Sequence, residues 1–233
     1  MILYGRNAVR EALRGRRASQ VRDIWATASA AREGWLGKVT IADASQIAER
    51  CGSEGHQGVC AEAGEYRYAD AATLTGPDRL LVVLDQVQDP QNLGAICRTA
   101  ECAGAGGVVI PERRSAEVTP AVCKASAGAV EHLPVARVRN LADFLIEARA
   151  AGMWSYGASA EPVPGAGDPV PYDSVDYRGG GVVLVLGSEG AGLRRRVAGE
   201  CDQLIKLPVL GRIESLNVSA AAAALLYGIL QKS

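Results

Sequence analysis

Apolar runs and helical patterns alternate along residues 80–230 of the chain. Continuous apolar stretches at 80–84 (LLVVL) and 182–186 (VVLVL) are typical of parallel strands that are buried on both faces. Helix-like segments lie at 91–103, from 121 onward, at 141–151 and at 217–230. Shorter strand-like segments lie between them, at 108–110, 135–138, 154–158 and 203–207. This alternation predicts an α/β fold with a mostly parallel sheet.

The first 64 residues carry a separate pattern. Helical periodicity marks residues 7–14 and 44–51, and short strand candidates lie at 21–27 and 59–63. Residues 65–79 show no period and end in a Gly-Pro turn signal, which is typical of a linker. We therefore expect a small α/β domain at 1–64, a linker at 65–79 and a second domain at 80–233.

Composition narrows the classes of function. The chain has 233 residues, of which 48% are hydrophobic and 22% charged, as in a packed globular protein. It contains no run of 18 uncharged apolar residues and does not open with a signal-peptide pattern, so we expect a cytoplasmic protein with no membrane partner. Six cysteines without a Cys-x-x-Cys pair and only two histidines argue against a metal site and favour reduced, buried thiols.

Positive charge is concentrated locally, although the net charge is only −1. Six arginines and a single glutamate occupy the first 22 residues, and Arg194, Arg195 and Arg196 form a second cluster. Such patches can bind phosphates, but they are equally typical of a solvated helix face.

Two glycine-containing segments follow apolar strands in the second domain. At 182–193 (VVLVLGSEGAGL) the glycines would let the backbone turn tightly and approach a ligand, or simply form an ordinary strand-to-helix turn. At 207–227 (LPVLGRIESLNVSAAAAALLY) Ser215 or Asn217 can cap an alanine-rich helix. Close helix packing accounts for the alanines but leaves the polar residues before them unexplained.

A third segment, residues 89–100 (DPQNLGAICRTA), opens with an Asp-Pro helix-start signal. Asn92 lies near the start of the predicted helix, and Arg98 is six residues further on, so the two do not share one face. An arginine among apolar residues is costly to bury without a partner. A surface arginine that extends its charged end into solvent is the alternative interpretation.

Taken in order and spacing, these three segments resemble the three motifs of the SpoU/TrmH family of RNA ribose methyltransferases, within the SPOUT class. The resemblance covers residues 80–233, and it is most specific at Glu-Ser-Leu-Asn-Val-Ser followed by alanines. The first block is similar to the family's small RNA-binding domain through residues 4–13 (YGRNAVREAL) and 56–59 (HQGV), although it is shorter between Trp25 and Ile41 by about one helix. Within the family, the chain most resembles the members that methylate a guanosine of 23S rRNA.

The resemblance implies a C-terminal trefoil knot, a homodimer, S-adenosylmethionine as the cofactor and the ribose 2′-hydroxyl of RNA as the methyl acceptor, with no metal. The implied catalytic residues are Asn92, Arg98, Glu189, Ser215 and Asn217. The implied cofactor-binding residues are Gly187, Leu207, Gly211 and Leu216. Because an arginine stays charged at neutral pH, we expect Arg98 to stabilise the RNA phosphate and the developing alkoxide, rather than to act as a base.

Other functions remain open at the level of sequence. The target could be a tRNA guanosine instead of one in 23S rRNA, or the protein could be a catalytically silent RNA-binding assembly factor. A Rossmann oxidoreductase is disfavoured because the first strand of the second block is not followed by the required glycine fingerprint.

Overall fold

The computed structural model describes residues 1–212 and 215–232, which form two β-sheets with helices packed against them. The first sheet has the strand order β1-β4-β2-β3, with β4 antiparallel to β1 and β2, and β3 parallel to β2. Its strands are β1 (Ile2–Tyr4), β2 (Ile24–Ala26), β3 (Thr40–Ile41) and β4 (Val59–Glu62). Its helices are α1 (Arg6–Ala12), α2 (Ala28–Ala31) and α3 (Ala44–Cys51).

The second sheet has seven strands in the order β7-β6-β5-β10-β8-β11-β9, and all its pairings are parallel. The strands are β5 (Leu80–Asp85), β6 (Gly107–Pro111), β7 (Val135–Val138), β8 (Met153–Ala158), β9 (Val170–Pro171), β10 (Gly181–Gly187) and β11 (Gln203–Lys206). The helices are α4 (Pro90–Cys102), α5 (Pro120–Ala125), α6 (Leu141–Ala150), α7 (Arg195–Glu200) and α8 (Val218–Leu230). The predicted α/β fold with a mostly parallel sheet is confirmed.

Both faces of the large sheet are buried, as the continuous apolar runs predicted. The two most apolar runs became the neighbouring central strands β5 and β10, in register from Leu80 opposite Val182. Alternate residues of these strands face opposite helix layers: one core cluster contains residues of α4, α5 and α8, and the other contains residues of α6 and α7. Each fully buried leucine or valine contributes roughly 1.5–3 kcal/mol to this packing.

Residues 65–79, predicted to be a linker, pack along the large sheet. The Tyr66 hydroxyl donates to the carbonyl of Val130 at 3.3 Å, and the Tyr68 hydroxyl accepts the Val118 amide at 2.9 Å. The Ala69 amide donates to Val135 O at 2.8 Å, beside edge strand β7. The segment is therefore a fixed connection between the two sheets.

A buried ion pair also joins the two parts of the chain. Arg17, after α1, donates from Nε to Glu131 Oε2 at 3.0 Å and from Nη2 to Glu131 Oε1. Arg17 is 4% exposed and Glu131 is 1% exposed. One continuous apolar core includes Leu3 of the small sheet and Leu84 of the large sheet. The N-terminal region is therefore held against the large sheet by apolar packing and by a paired charge.

Candidate active site

Three side chains from the three sequence motifs meet at the carboxyl edge of the large sheet. Asn92 Nδ2 donates to Glu189 Oε1 at 2.9 Å. Asn217 Nδ2 donates to the same carboxylate oxygen at 2.6 Å and to Asn92 Oδ1 at 3.0 Å. We call Asn92, Glu189 and Asn217 the polar cluster. It lies where open parallel sheets bind their ligands.

Asn92 is held in the first turn of α4, where the chain leaves β5. The Asp89 carboxylate accepts the Gln91 amide at 2.9 Å and caps the helix, and Pro90 fills its first position. This start brings Asn92 directly to the strand ends, where it is only 7% exposed. The cap predicted from the Asp-Pro pair is thus the feature that positions Asn92.

Glu189 lies on the tight loop that follows β10. Ser188 and Gly192 close this loop through two backbone hydrogen bonds, of 2.9 and 3.2 Å. Gly187 is required at its base, because a Cβ there would collide with the backbone carbonyl carbon of Gly192. The close approach of these two backbone segments turns Glu189 toward α4.

A buried carboxylate, not identified from the sequence, fixes the far end of the same loop. Asp85 ends β5 and is fully buried. It accepts the Arg194 backbone amide at 2.8 Å and Arg194 Nε at 2.7 Å. The only sequence signal was an acidic residue placed directly after an apolar run, because its partner Arg194 lies 109 positions further along the chain.

Asn217 combines helix capping with its place in the polar cluster. Its Oδ1 accepts the Ser219 amide at 2.9 Å and the Ser219 hydroxyl at 2.6 Å, so it is the N-cap of α8. This bond fixes the orientation of the side-chain amide and leaves Nδ2 to donate to Asn92 and Glu189. Of the two residues predicted to cap this helix, the structure assigns the cap to Asn217.

The directions of these hydrogen bonds determine what the cluster can offer a ligand. Glu189 Oε1 accepts from both asparagines, while Oε2 has no partner among the described residues. A carboxylate oxygen that is held in place but unpaired is a strong acceptor for a hydroxyl or an amino group. The cluster therefore presents one oriented negative acceptor at the sheet edge.

Arg98 and Ser215 do not join the polar cluster in this chain. Arg98 lies six residues beyond Asn92 on α4, about 9 Å along the helix axis, and points to solvent. Neither its side chain nor that of Ser215 forms a hydrogen bond or ion pair within residues 1–212 and 215–232. Residues 213 and 214 of the third motif lie outside the described residues.

The four residues predicted to bind a cofactor lie on segments at this same edge. Gly187 ends β10 and Leu207 follows β11, so they flank the end of β8, which lies between those strands. Gly211 and Leu216 are exposed, and Leu210, which precedes Gly211, is 96% exposed. Apolar side chains left in solvent next to a polar cluster suit a ligand that has both apolar and polar parts.

Two open cavities lie away from the polar cluster. One of about 700 Å³ is at the opposite, amino edge of the large sheet, between the start of β5 and the end of α8. The other, of about 410 Å³, is in the N-terminal region around His56. Neither contains a site residue predicted from the sequence, so size alone does not identify the active site.

Two kinds of feature are absent from the described part of the chain. No three or more His, Cys, Asp or Glu side chains in it are grouped so as to bind a metal ion. None of its helices has the length and apolar character needed to cross a membrane.

Family models match both parts of the chain. Residues 79–227 match the SpoU rRNA methylase family, and residues 2–69 match the substrate-binding domain of RNA 2′-O-ribose methyltransferases. The chain belongs to the SpoU rRNA methylase family. The membership predicted from the three motifs is thereby confirmed, and the protein is an RNA methyltransferase of the TrmH/SpoU group.

Similar proteins extend over most or all of this SpoU-family chain. YacO of Bacillus subtilis, named for the TrmH family and for tRNA or rRNA methylation, is 43% identical over 76% of this chain and 71% of its own length. A TrmH-family protein of Staphylococcus haemolyticus is 35% identical over 100% and 96%. An AdoMet-bound rRNA methyltransferase from Sinorhizobium meliloti has a TM-score of 0.81 at 28% identity, covering 99% of this chain and 86% of that one.

Proposed function

We propose that this SpoU-family protein methylates a ribose 2′-hydroxyl of RNA, with S-adenosylmethionine as the methyl donor. A guanosine of 23S rRNA is the first candidate target, and a tRNA guanosine is the second. The observation that carries the proposal is the polar cluster, which brings Asn92, Glu189 and Asn217 from three separate motifs to one ligand-binding edge. The N-terminal match to a ribose methyltransferase substrate-binding domain supports RNA as the partner.

The residues at the sheet edge fit the proposed cofactor. Gly187 has no side chain, so a ligand can approach its backbone closely. Leu207 and Leu216 offer apolar surface for an adenine ring, and Gly211 lies between them in the sequence. When bound, S-adenosylmethionine supplies an electrophilic methyl group on a positively charged sulfur and leaves as a neutral thioether. No metal is required to stabilise such a leaving group.

The chain's own residues then have distinct tasks. Asn92, whose amide orientation is fixed by its neighbours, orients the ribose, and Glu189 Oε2 accepts a hydrogen bond from a substrate hydroxyl. Asn217 and Ser215 complete the wall of the site. Arg98 is exposed and lies outside the polar cluster, so its charge acts once RNA is bound, on the phosphate and on the alkoxide that develops. As the 2′-oxygen bonds to the methyl carbon, the carbon–sulfur bond breaks and the hydroxyl proton is released to water.

Labelled S-adenosylmethionine tests the reaction directly. Purified protein should transfer label to the ribose of one guanosine, in rRNA or tRNA taken from a strain that lacks the enzyme. Mapping that nucleotide decides between the two RNA classes. Label on a base, or no label on either RNA, would overturn the proposal, and RNA binding without transfer would instead indicate an assembly factor.

Arg98→Ala and Arg98→Lys test the role of the arginine. The alanine variant should lower transfer by about 10²- to 10³-fold, since it removes a charge that stabilises the transition state, while cofactor affinity stays unchanged. The Arg98→Lys variant should recover only a small part of the lost transfer rate, because lysine lacks the planar guanidinium that can form two parallel hydrogen bonds. Loss of cofactor binding in Arg98→Ala would contradict the assigned role.

We also infer the homodimer and the trefoil knot that accompany this family. An exposed apolar face of α8, with Ala220, Ala224, Tyr227 and Leu230, supports a second copy as the partner. Tyr227→Glu should yield monomers in light scattering. Ile146→Glu on α6 is the matched control, since the two side chains are 48% and 47% exposed on helices that cover opposite faces of the sheet. Equal masses for the two variants would exclude α8 as the dimer interface.

A further inference from the structure

The cavity of about 410 Å³ in the N-terminal region has polar walls. Arg6, Thr27, Ser29, His56 and Gln57 contribute to its lining. This volume lies in the range of small-ligand sites, roughly 300–1,000 Å³, and would admit one nucleotide but not a duplex. The cavity belongs to the part of the chain that matches an RNA substrate-binding domain, but that match assigns no pocket in it.

His56 has one ring nitrogen in use and one unpartnered. Its Nδ1 accepts the Gly58 amide at 2.9 Å, so the proton of the neutral ring is on Nε2. The side chain is only 6% exposed, yet Nε2 has no partner in the part of the chain that the structure describes and keeps some contact with solvent. Because His56 lines the cavity, Nε2 is a donor available to a ligand there.

The turn that carries His56 is held rigidly. Gln57 and Gly58 both have positive φ, 55° and 79°. In a residue other than glycine, such as Gln57, this strained conformation persists only where surrounding contacts enforce it. Gly58 O accepts the Thr27 amide at 2.9 Å, and a Cβ on Gly58 would lie 2.7 Å from Thr27 Oγ1. Gln57 Oε1 also accepts the Arg6 amide at 3.0 Å. The His56 donor is therefore fixed in direction before any ligand arrives.

The remaining polar groups at the rim include one guanidinium and two hydroxyls, all of which can donate hydrogen bonds. Arg6 Nε donates to Gln57 O at 3.2 Å, and its Nη2 pairs with Glu33 at 2.7 Å, so its charge is partly neutralised. The Thr27 and Ser29 hydroxyls are 3.0 Å apart and can donate or accept. A ligand that matches these walls presents acceptors, as the edge of an unpaired purine does through its carbonyl oxygen and ring nitrogen.

We propose that this cavity binds one unpaired nucleotide of the substrate RNA, with His56 Nε2 donating to an acceptor on its base. The inference rests on the proposed function, because it takes RNA as the substrate. Sequence-specific proteins commonly read RNA through bases that are splayed out of a helix. Lys124 of α5 donates to Gly55 O beside the pocket, and α5 packs on α4, which carries Asn92. The bound nucleotide would thus lie at a fixed distance from the methylated ribose.

Two substitutions of His56 separate ligand binding from a purely structural role. In His56→Asn the side-chain oxygen can still accept the Gly58 amide, but the Nε2 donor is lost. In His56→Gln a donor can still reach the Nε2 position. We expect His56→Asn to weaken binding by roughly 3- to 10-fold, as for one lost hydrogen bond, and His56→Gln to stay within about twofold of wild type. The probes are filter-binding assays with 23S rRNA transcript and with bulk tRNA, and cofactor affinity serves as the folding control.

The outcomes are distinguishable from those of the proposed function. Unchanged RNA affinity in His56→Asn would overturn the nucleotide pocket, even if the wild-type protein methylates RNA normally. A His56→Gln variant as impaired as His56→Asn, or more so, would show that the histidine only supports the turn. RNA binding needs no methyl transfer, so a wild-type protein that binds RNA but transfers no label would overturn the proposed function alone. In steady state, His56→Asn should raise KM for RNA and leave kcat unchanged.

Discussion

The buried pair of Arg17 and Glu131 lies where the N-terminal region attaches to the large sheet, and each buried charge depends on the other. Glu131→Gln removes the negative charge while keeping the shape of the side chain. It leaves the Arg17 guanidinium in a site that is 4% exposed, with neutral acceptors in place of a carboxylate. The loss therefore combines a missing ion pair with the cost of an unpaired buried charge.

The expected magnitude follows from the remaining contacts of Arg17. Breaking one side of a buried pair typically costs about 3–5 kcal/mol. Arg17 keeps a hydrogen bond to Gly64 O at 3.0 Å and a weak one to Cys123 Sγ at 3.6 Å, which places this case at the lower end, about 3 kcal/mol. That is a large fraction of a free energy of unfolding that is typically about 5–15 kcal/mol.

Urea unfolding monitored by tryptophan fluorescence and circular dichroism would measure this loss. The matched control is Arg178→Gln, which breaks an exposed pair with Asp176 and should leave the unfolding midpoint unchanged. The double variant Arg17→Met with Glu131→Leu should recover more than half of the loss, because both buried charges are then absent. A Glu131→Gln variant that unfolds like the control would refute this account of the attachment.

Three further predictions concern the site and the thiols. Asn217→Asp places a second carboxylate where Nδ2 lies 2.6 Å from Glu189 Oε1, and the repulsion should lower methyl transfer by about 10²-fold in the labelling assay. Gly187→Ala should abolish cofactor binding measured by calorimetry, because the new methyl group collides with the loop backbone. Iodoacetamide at pH 8 should modify the exposed thiol of Cys102 first, as detected by mass spectrometry. Burial raises the pKa of Cys97 to about 12, so that thiol stays protonated and unreactive.

Each of these predictions has its own control. Asn217→Ser keeps a capping oxygen for α8 without adding charge, so it should retain more activity than Asn217→Asp; the reverse order would contradict the charge argument. Gly37→Ala has open space around its new methyl group and should bind cofactor normally. Modification of Cys97 as fast as that of Cys102 would show that α4 is not packed as described.

The large sheet could be predicted because its central strands are long and buried on both faces. Continuous apolar runs such as those of β5 and β10 are typical of strands inside a parallel sheet that is covered by helices on both faces. Strands β3 and β9 have only two residues each, and a pair of residues carries no periodicity that a sequence could reveal. Helix α7 was missed for another reason, since its arginines were interpreted only as a charged patch.

The resemblance named the three members of the polar cluster together with Arg98 and Ser215, which do not join it, and it did not reveal the internal geometry of the cluster. Nothing in the spacing showed that one carboxylate oxygen accepts from both asparagines. Contacts between residues about a hundred positions apart depend on how strands order themselves in the sheet. The same limit concealed the fixed connection at 65–79, where Tyr66 meets a carbonyl 64 residues away.

Helices α4 and α8 link the polar cluster to the surface proposed for a second copy. Both begin at the carboxyl edge, with Asn92 and Asn217 in the cluster, and both end near the opposite edge beside the larger cavity. They pack on each other, so a shift of one helix would displace the other. Because Tyr227 lies on the exposed side of α8, a partner bound there would restrain the same helix that positions Asn217. Dimerisation and the positioning of the Glu189 acceptor oxygen would then both depend on the packing of α4 against α8.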